Sequence, residues 1–168
     1  MNVLEKAETK TETKQYLTFK LENETFAVDV SQAREILELP EITRVPNTAG
    51  YMKGVINVRG SVVQVADLRL MFGLPEGKRT INTCIVVLEV DIEGETSVIG
   101  AMADSVQEVI ELDESLIEPP PRLGMKLRKD FIKGIGKRDD KFFIILDMNR
   151  VFSAEDVRDA EGQSVGAG

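Results

Sequence analysis

The chain has 168 residues, 42% hydrophobic and 30% charged, which suits one ordinary globular domain or two small barrels sharing a core. A formal net charge of −8 opposes general binding to nucleic acid or to anionic membranes, since both need a positive field. The absence of any histidine removes Ser-His and Cys-His nucleophiles, a phospho-accepting histidine and most catalytic zinc sites.

The first fourteen residues are polar and aperiodic, so a flexible tail is expected there, with no apolar signal region. No later apolar run approaches the roughly 20 residues of a membrane helix, and a cytosolic protein is the expectation. "YLTFKLENETFAVDV" (16–30) alternates on both sides of Glu22-Asn23-Glu24, the pattern of a β-hairpin. In "SQAREILEL" (31–39), Ser31 is predicted to cap a short helical turn with Arg34 and Glu35 early in it. Pro40 and Pro46 bracket an extended piece, and "NTAGYMKG" (47–54) reads as one more helical turn ending at Gly54. "GVINVRGSVVQVADLR" (54–69) follows, two β-favouring runs around a tight centre, the second closed by Asp67. "LRLMFGLPEG" (68–77) is a helical turn stopped by Gly73 and Pro75.

The second half opens with "TCIVVLEV" (83–90), turns at Glu93-Gly94 and returns as "TSVIGAMA" (96–103). The single Cys84 lies in that apolar run, so it makes no internal disulfide and reads as a small core residue. "QEVIELDE" (107–114) leads to Pro119-Pro120-Pro121, a stiff connector. "FIKGIGKRDDKFFIILD" (131–147) is strand, turn, strand, and "MNRVFSAEDVRDA" (148–160) a short helix. Many short strands and few helices predict an all-β barrel or sandwich.

The halves echo each other. Lys53 and Lys133 are 80 positions apart, as are Asp67 and Asp147, and Phe72 and Phe152. "REILEL" (34–39) returns as "QEVIEL" (107–112), 73 positions on. Two similar small barrels packed side by side account for this, each near the size where a core is marginal, so that a joint interface would stabilise both. Whether strands cross between them stays open at this level. Within the repeat, "KRDDK" (137–141) of the second half stands where the first carries "NVRGS", so Asn57, Arg59 and Gly60 belong to one half alone.

Arg59 has two readings that sequence physics leaves standing. It is a plain exposed hairpin charge, or Gly60 supplies a positive φ that holds its planar guanidinium outward for a carboxylate or carbonyl. Ala33 and Ile36 likewise either face the core or edge an apolar groove with Glu35 on its rim. Other motifs fail on spacing: "GLPEGKRT" (73–80) is not a phosphate loop, and "DIEGE" (91–95) is not a calcium loop.

On "FAVDVSQAREILEL", "ITRVPNTAGYMKGVINVRGSVVQVADLR", "VQEVIELDESLIEP" and "FIKGIGKRDDKFFIILDMNRVF", the chain resembles the CheW family, the coupling proteins of bacterial chemotaxis. Gln64 stands where the family commonly has proline. The resemblance implies a mainly β fold of two SH3-like five-stranded barrels with a few short helices. It places a tail over 1–14, a CheW-like domain over 15–153 and a helix end and tail over 154–168. It implies a non-catalytic adaptor, without cofactor or metal, linking the cytoplasmic tip of methyl-accepting chemoreceptors to the regulatory domain of the CheA-type histidine kinase. Such an adaptor is cytoplasmic and recruited to membrane-associated receptor clusters. Carried over by position, receptor contact falls on Ala33, Glu35, Ile36, Asn57, Arg59, Gly60, Val106 and Val109, and kinase or receptor contact on Lys53 and Gly54. The alternative is a nucleic-acid-binding barrel using the basic segment 122–141, against which the scarce aromatics and acidic total weigh.

Overall fold

The computed structural model describes residues 13–121 and 127–153. Among the described residues, ten strands and two short α-helices run in chain order. They are β1 (Thr13–Leu21), β2 (Glu24–Asp29), β3 (Ala33–Glu38), β4 (Met52–Val58), β5 (Ser61–Asp67), α1 (Leu68–Met71) and β6 (Cys84–Ile92). Then come β7 (Glu95–Ala103), β8 (Ser105–Asp113), β9 (Ile132–Arg138), β10 (Lys141–Leu146) and α2 (Met148–Ser153). The expectations for residues 1–12, 122–126 and 154–168 lie outside the described residues.

The strands form two five-stranded sheets that curl like barrels, in the orders β8-β1-β2-β10-β9 and β3-β6-β7-β5-β4. Substituting each strand of the first half by its counterpart in the second turns one order into the other. The sheets do not, however, coincide with the halves of the sequence. Hairpin β1–β2 pairs with β8 and β10 of the second half, and hairpin β6–β7 pairs with β3 and β5 of the first.

This exchange explains the apolar runs. A strand with a barrel interior on one face and the other barrel on its second face is buried on both, so its residues need not alternate. In β6, Ile85 and Val87 fill the second barrel with Ile56, Val63, Val65 and Met102, while Val86, Leu88 and Val90 face the junction. In β2, Ala27 enters the first barrel's interior and its neighbours Phe26 and Val28 face the junction. Among the described residues the junction core holds twenty buried residues, against six inside each barrel. At roughly 1.5–3 kcal/mol for each fully buried large aliphatic or aromatic side chain, the junction outweighs either interior. Phe19, Phe26, Phe72 and Phe131 run through it with successive ring centroids 5.9, 5.9 and 6.2 Å apart.

Two polar clamps, related by the repeat, tie each exchanged hairpin down. Arg69, after β5, donates from Nε and Nη2 to the Asp104 carboxylate at 2.9 and 2.5 Å, and Asp104 Oδ2 accepts the Glu22 N–H of the β1–β2 turn at 2.8 Å. Asn149 is 80 positions beyond Arg69. Its Oδ1 accepts the Asp91 N–H of hairpin β6–β7 at 2.8 Å and the Gln32 side-chain amide at 2.9 Å. The first clamp is ionic and the second neutral.

Two helical turns predicted from sequence are not there. Only Val30–Gln32 form a 3-10 turn, capped by the Asp29 carboxylate rather than by Ser31. Arg34 and Glu35 lie in β3, whose residues alternate in exposure and pair with β6. The sheet edge offered by a hairpin 50 residues downstream overrides the local helical tendency of "AREILEL". Residues 47–54 are likewise turns leading into β4, because Thr43 and Val55 exchange backbone hydrogen bonds at 2.9 and 2.8 Å and hold the segment extended. Gly54 sits between them at φ +141°, where a Cβ would come 2.1 Å from the Thr43 carbonyl oxygen. Its counterpart Gly134 is as tight, with Ile117 2.4 Å and the Glu118 carbonyl oxygen 2.9 Å from the same imagined atom.

Gly54→Ala should therefore cost about 2–4 kcal/mol, because backbone itself must move. Gly60→Ala, with left-handed φ +86° but open space, should cost about 1 kcal/mol. Urea unfolding midpoints of the two variants measure the contrast; equal midpoints would contradict the close approach at Gly54.

Candidate functional site

The β4–β5 hairpin closes with Val58 opposite Ser61, so Arg59 and Gly60 alone make the turn. Both have positive φ, +51° and +86°, the pattern of a type I′ turn. Asn57 Oδ1 accepts the Gly60 N–H at 2.7 Å and stabilises the bend. Gly60 does not carry the bend alone, as sequence suggested: Arg59 itself occupies the left-handed region, which non-glycine residues seldom adopt. The equivalent turn of the second half, Asp139-Asp140, has the same geometry, φ +51° and +63°. The backbone therefore repeats, and only the side chains differ.

The Arg59 guanidinium meets the Glu35 carboxylate with two prongs, Nη1 to Oε2 at 2.6 Å and Nη2 to Oε1 at 2.9 Å. The partners are unequally held. The Glu35 side chain is 22% exposed on β3, and that of Arg59 is 76% exposed on the turn. The Arg59 hydrogen bond holds the Glu35 carboxyl below its usual range, and Glu35 in turn raises Arg59. The pair spans the mouth of the second barrel over a recess of about 290 Å³ floored by Val63, Val87 and Val98. Val62, 77% exposed, lines this recess, while Ile36, 47% exposed, follows Glu35 on β3 and so points to the opposite face of the strand.

Other sequence-chosen residues fall elsewhere. Ala33 and Val106, 73 positions apart, both pack half-buried on the junction core. Ile36 and Val109, at the same spacing, are both 47% exposed on β3 and β8, which belong to different sheets. Gly54 is buried, and its environment accounts for it structurally. Lys53 stands six residues from Arg59, at the other end of β4, about 20 Å away at the usual strand rise.

At that end Lys53 Nζ lies 4.0 Å from the carboxylate of buried Asp67 and pairs with Glu76. Asp67 caps α1, accepting the N–H groups of Arg69 and Leu70. Burial pushes its carboxyl above the ordinary range despite those bonds and Lys53, while the hydrogen bond from Lys53 lowers Glu76. Glu76 and the nearby Arg79 were not legible as site residues, because residues 74–83 have no periodicity. Lys53 and Asp67 carried a signal, since both obey the 80-residue repeat.

Residues 15–156 match the CheW-like domain family. The chain belongs to the CheW family. Among CheW relatives, the chemotaxis protein CheW of Bacillus subtilis is 35% identical over 145 residues, 86% of this chain and 90% of that one. The CheW of Klebsiella aerogenes is 30% identical over 143 residues, 85% and 84% of the two chains. A crystal structure of the scaffolding protein TtCheW from Thermoanaerobacter tengcongensis superposes with a TM-score of 0.74 at 33% identity, covering 84% of this chain and 89% of that one.

The carboxyl shifts in this CheW-family chain set signs for its pH behaviour. Glu35 and Glu76 are depressed, so the stability each contributes is present at neutral pH and lost as pH falls through its folded value. Asp67 is raised, so its contribution is greatest at low pH and lost as pH rises through its folded value. Carbon-detected NMR titration should place Asp67 above, and Glu35 and Glu76 below, their ordinary midpoints. Arg59→Ala should return Glu35 alone to the usual range; no movement of Glu35 would contradict the pairing.

Proposed function

We propose that the chain is a non-catalytic chemotaxis scaffold, coupling the cytoplasmic tip of a methyl-accepting chemoreceptor to the regulatory domain of a CheA-type histidine kinase. Family membership supports the scaffold role, and the chemotaxis names of its relatives support the pathway. The observation that carries the receptor assignment is the two-pronged Glu35–Arg59 pair at the barrel mouth, over a recess that exposed Val62 also lines.

An amphipathic receptor helix needs an apolar strip to bury its face and fixed polar groups to set its register. Val62 and the valines of the recess provide the first. Arg59, mostly exposed yet oriented by a left-handed backbone and by Glu35, provides the second, with three of its five N–H donors uncommitted by the pair. The kinase docks on another barrel end, and the signal passes through the relative placement of the partners, with no covalent change in this chain. The protein works within receptor clusters at the inner membrane face.

The nucleic-acid reading draws no support. Within 127–141, Arg128 pairs with Asp130, Lys137 with Asp140, Arg138 with Asp139, and Lys133 with Tyr16 and Glu114. Pairing with carboxylates weakens the field that these four cations offer to phosphates.

Arg59→Ala should keep the circular dichroism spectrum and lower the unfolding midpoint only slightly, yet lower receptor-tip retention in a pull-down by about tenfold. Normal retention by the variant would remove Arg59 from the site. Failure of the unmodified protein to retain either receptor tip or kinase regulatory domain would overturn the function.

A further inference from the structure

The chain passes between the two sheets twice, at Val30–Gln32 after β2 and at Asp104 between β7 and β8. Each crossing is held by the residue two places beyond a repeated Asp: Asn149, after Asp147, bonds Gln32, and Arg69, after Asp67, bonds Asp104. The crossing at Asp104 is a single residue. Its N–H donates to the Lys20 carbonyl at 3.0 Å, and its Oδ2 accepts the Glu22 N–H, so it also seats the exposed turn between β1 and β2.

Arg69 reaches further than this crossing. While Nε and Nη2 hold Asp104, Nη1 donates to the Pro75 carbonyl at 3.2 Å and stands 3.8 Å from the Glu22 carboxylate. Gly77 lies against the same guanidinium, where a Cβ would come 2.6 Å from Cζ, 2.7 Å from Nε and 3.0 Å from Nη1. Gly77 has no positive φ, so this position needs glycine for room and not for backbone freedom. One planar group, its side chain 18% exposed, therefore joins the segment after α1, the crossing and the tip of the exchanged hairpin. The N–H directions of a guanidinium are fixed in one plane, so it cannot turn away from Pro75 or Gly77 and stay aligned on Asp104.

We propose that Arg69 is a latch that couples segment 75–77 to the β1–β2 turn of the other sheet. Displacement of the segment turns the guanidinium on Asp104 and loosens the Glu22 N–H, while the junction core beneath stays packed. Two exposed surfaces on different sheets communicate through one side chain, without movement of the frame. The coupling belongs to the fold itself and holds whichever partners the scaffold carries.

Amide exchange followed by NMR in the full chain tests the latch, with the Asp91 N–H as internal control because it hangs on Asn149 instead. Gly77→Ala places a methyl where the guanidinium lies, and the flexible arginine gives way before the backbone does. Exchange at Glu22 should quicken about tenfold relative to Asp91. Arg69→Lys keeps a cation beside Asp104 but not the fork, so adding Gly77→Ala to that variant should leave Glu22 unchanged. The reverse direction is read in Asp104→Asn, which weakens the fork from its other side and should shift the Gly77 amide signal. Circular dichroism checks that each variant folds. Equal quickening at Glu22 and Asp91 would mean a plain loss of stability and would overturn the latch. So would no quickening at Glu22, a quickening that survives in the Arg69→Lys chain, or a Gly77 signal unmoved by Asp104→Asn.

Discussion

Each half of the chain lends its first hairpin to the sheet of the other, and the apolar junction between those hairpins is what the remaining structure is fastened to. A barrel of five short strands has little interior: six buried residues in each case among those described. Unable to bury enough surface alone, the barrels share twenty more between them, and the exchange makes that sharing obligatory. Neither sheet can be completed by residues from one half. The Arg69–Asp104 and Asn149–Asp91 clamps then hold each visiting hairpin in register. Hydrogen bonds of this kind each contribute about 0.5–1.5 kcal/mol, rising to 1.5–3 for a charged one, so they refine what the apolar core already enforces.

On this duplicated frame the functional differences are differences of side chain. The same type I′ geometry carries Arg59-Gly60 on one barrel and Asp139-Asp140 on the other, and only the first finds a carboxylate across the mouth. The same lysine position carries Lys53 beside buried Asp67 in one half. In the other it carries Lys133, which lies over the Tyr16 ring and bonds to its hydroxyl. Duplication followed by local change places a charged cluster at each end of one hairpin and leaves the other barrel with different side chains at the same positions. A rigid frame suits a scaffold, because partners bound at fixed points are held at fixed spacing.

Much of this was legible in the chain. The hairpins, the repeat and the isolation of Asn57-Val58-Arg59-Gly60 follow from alternation and offset. The family resemblance rested on the same stretches, and residues 15–156 match it. The helical reading of "AREILEL" failed because its strand partner, β6, comes from the other half, a long-range pairing no local window contains. The exchange of hairpins was invisible for the same reason: two barrels with or without exchange bury the same apolar positions. Arg59 was singled out, but its pairing with Glu35 depends on β3 being a strand, where the sequence suggested a helical turn. Glu76 and Arg79 were missed because irregular segments carry no period. The need for Gly54 came from a close backbone approach that only coordinates reveal.

The claim on which the account depends is that the exchange makes both barrels one cooperative unit. Native-state hydrogen exchange at increasing low denaturant tests it most directly, followed at core amides of Ala27 and Ile145 in the first sheet and Val65 and Val87 in the second. All four should merge onto a single unfolding isotherm with the global free energy and denaturant slope. Merger of one sheet's amides at a clearly lower free energy, while the other sheet stays protected, would mean independently opening barrels and would contradict it.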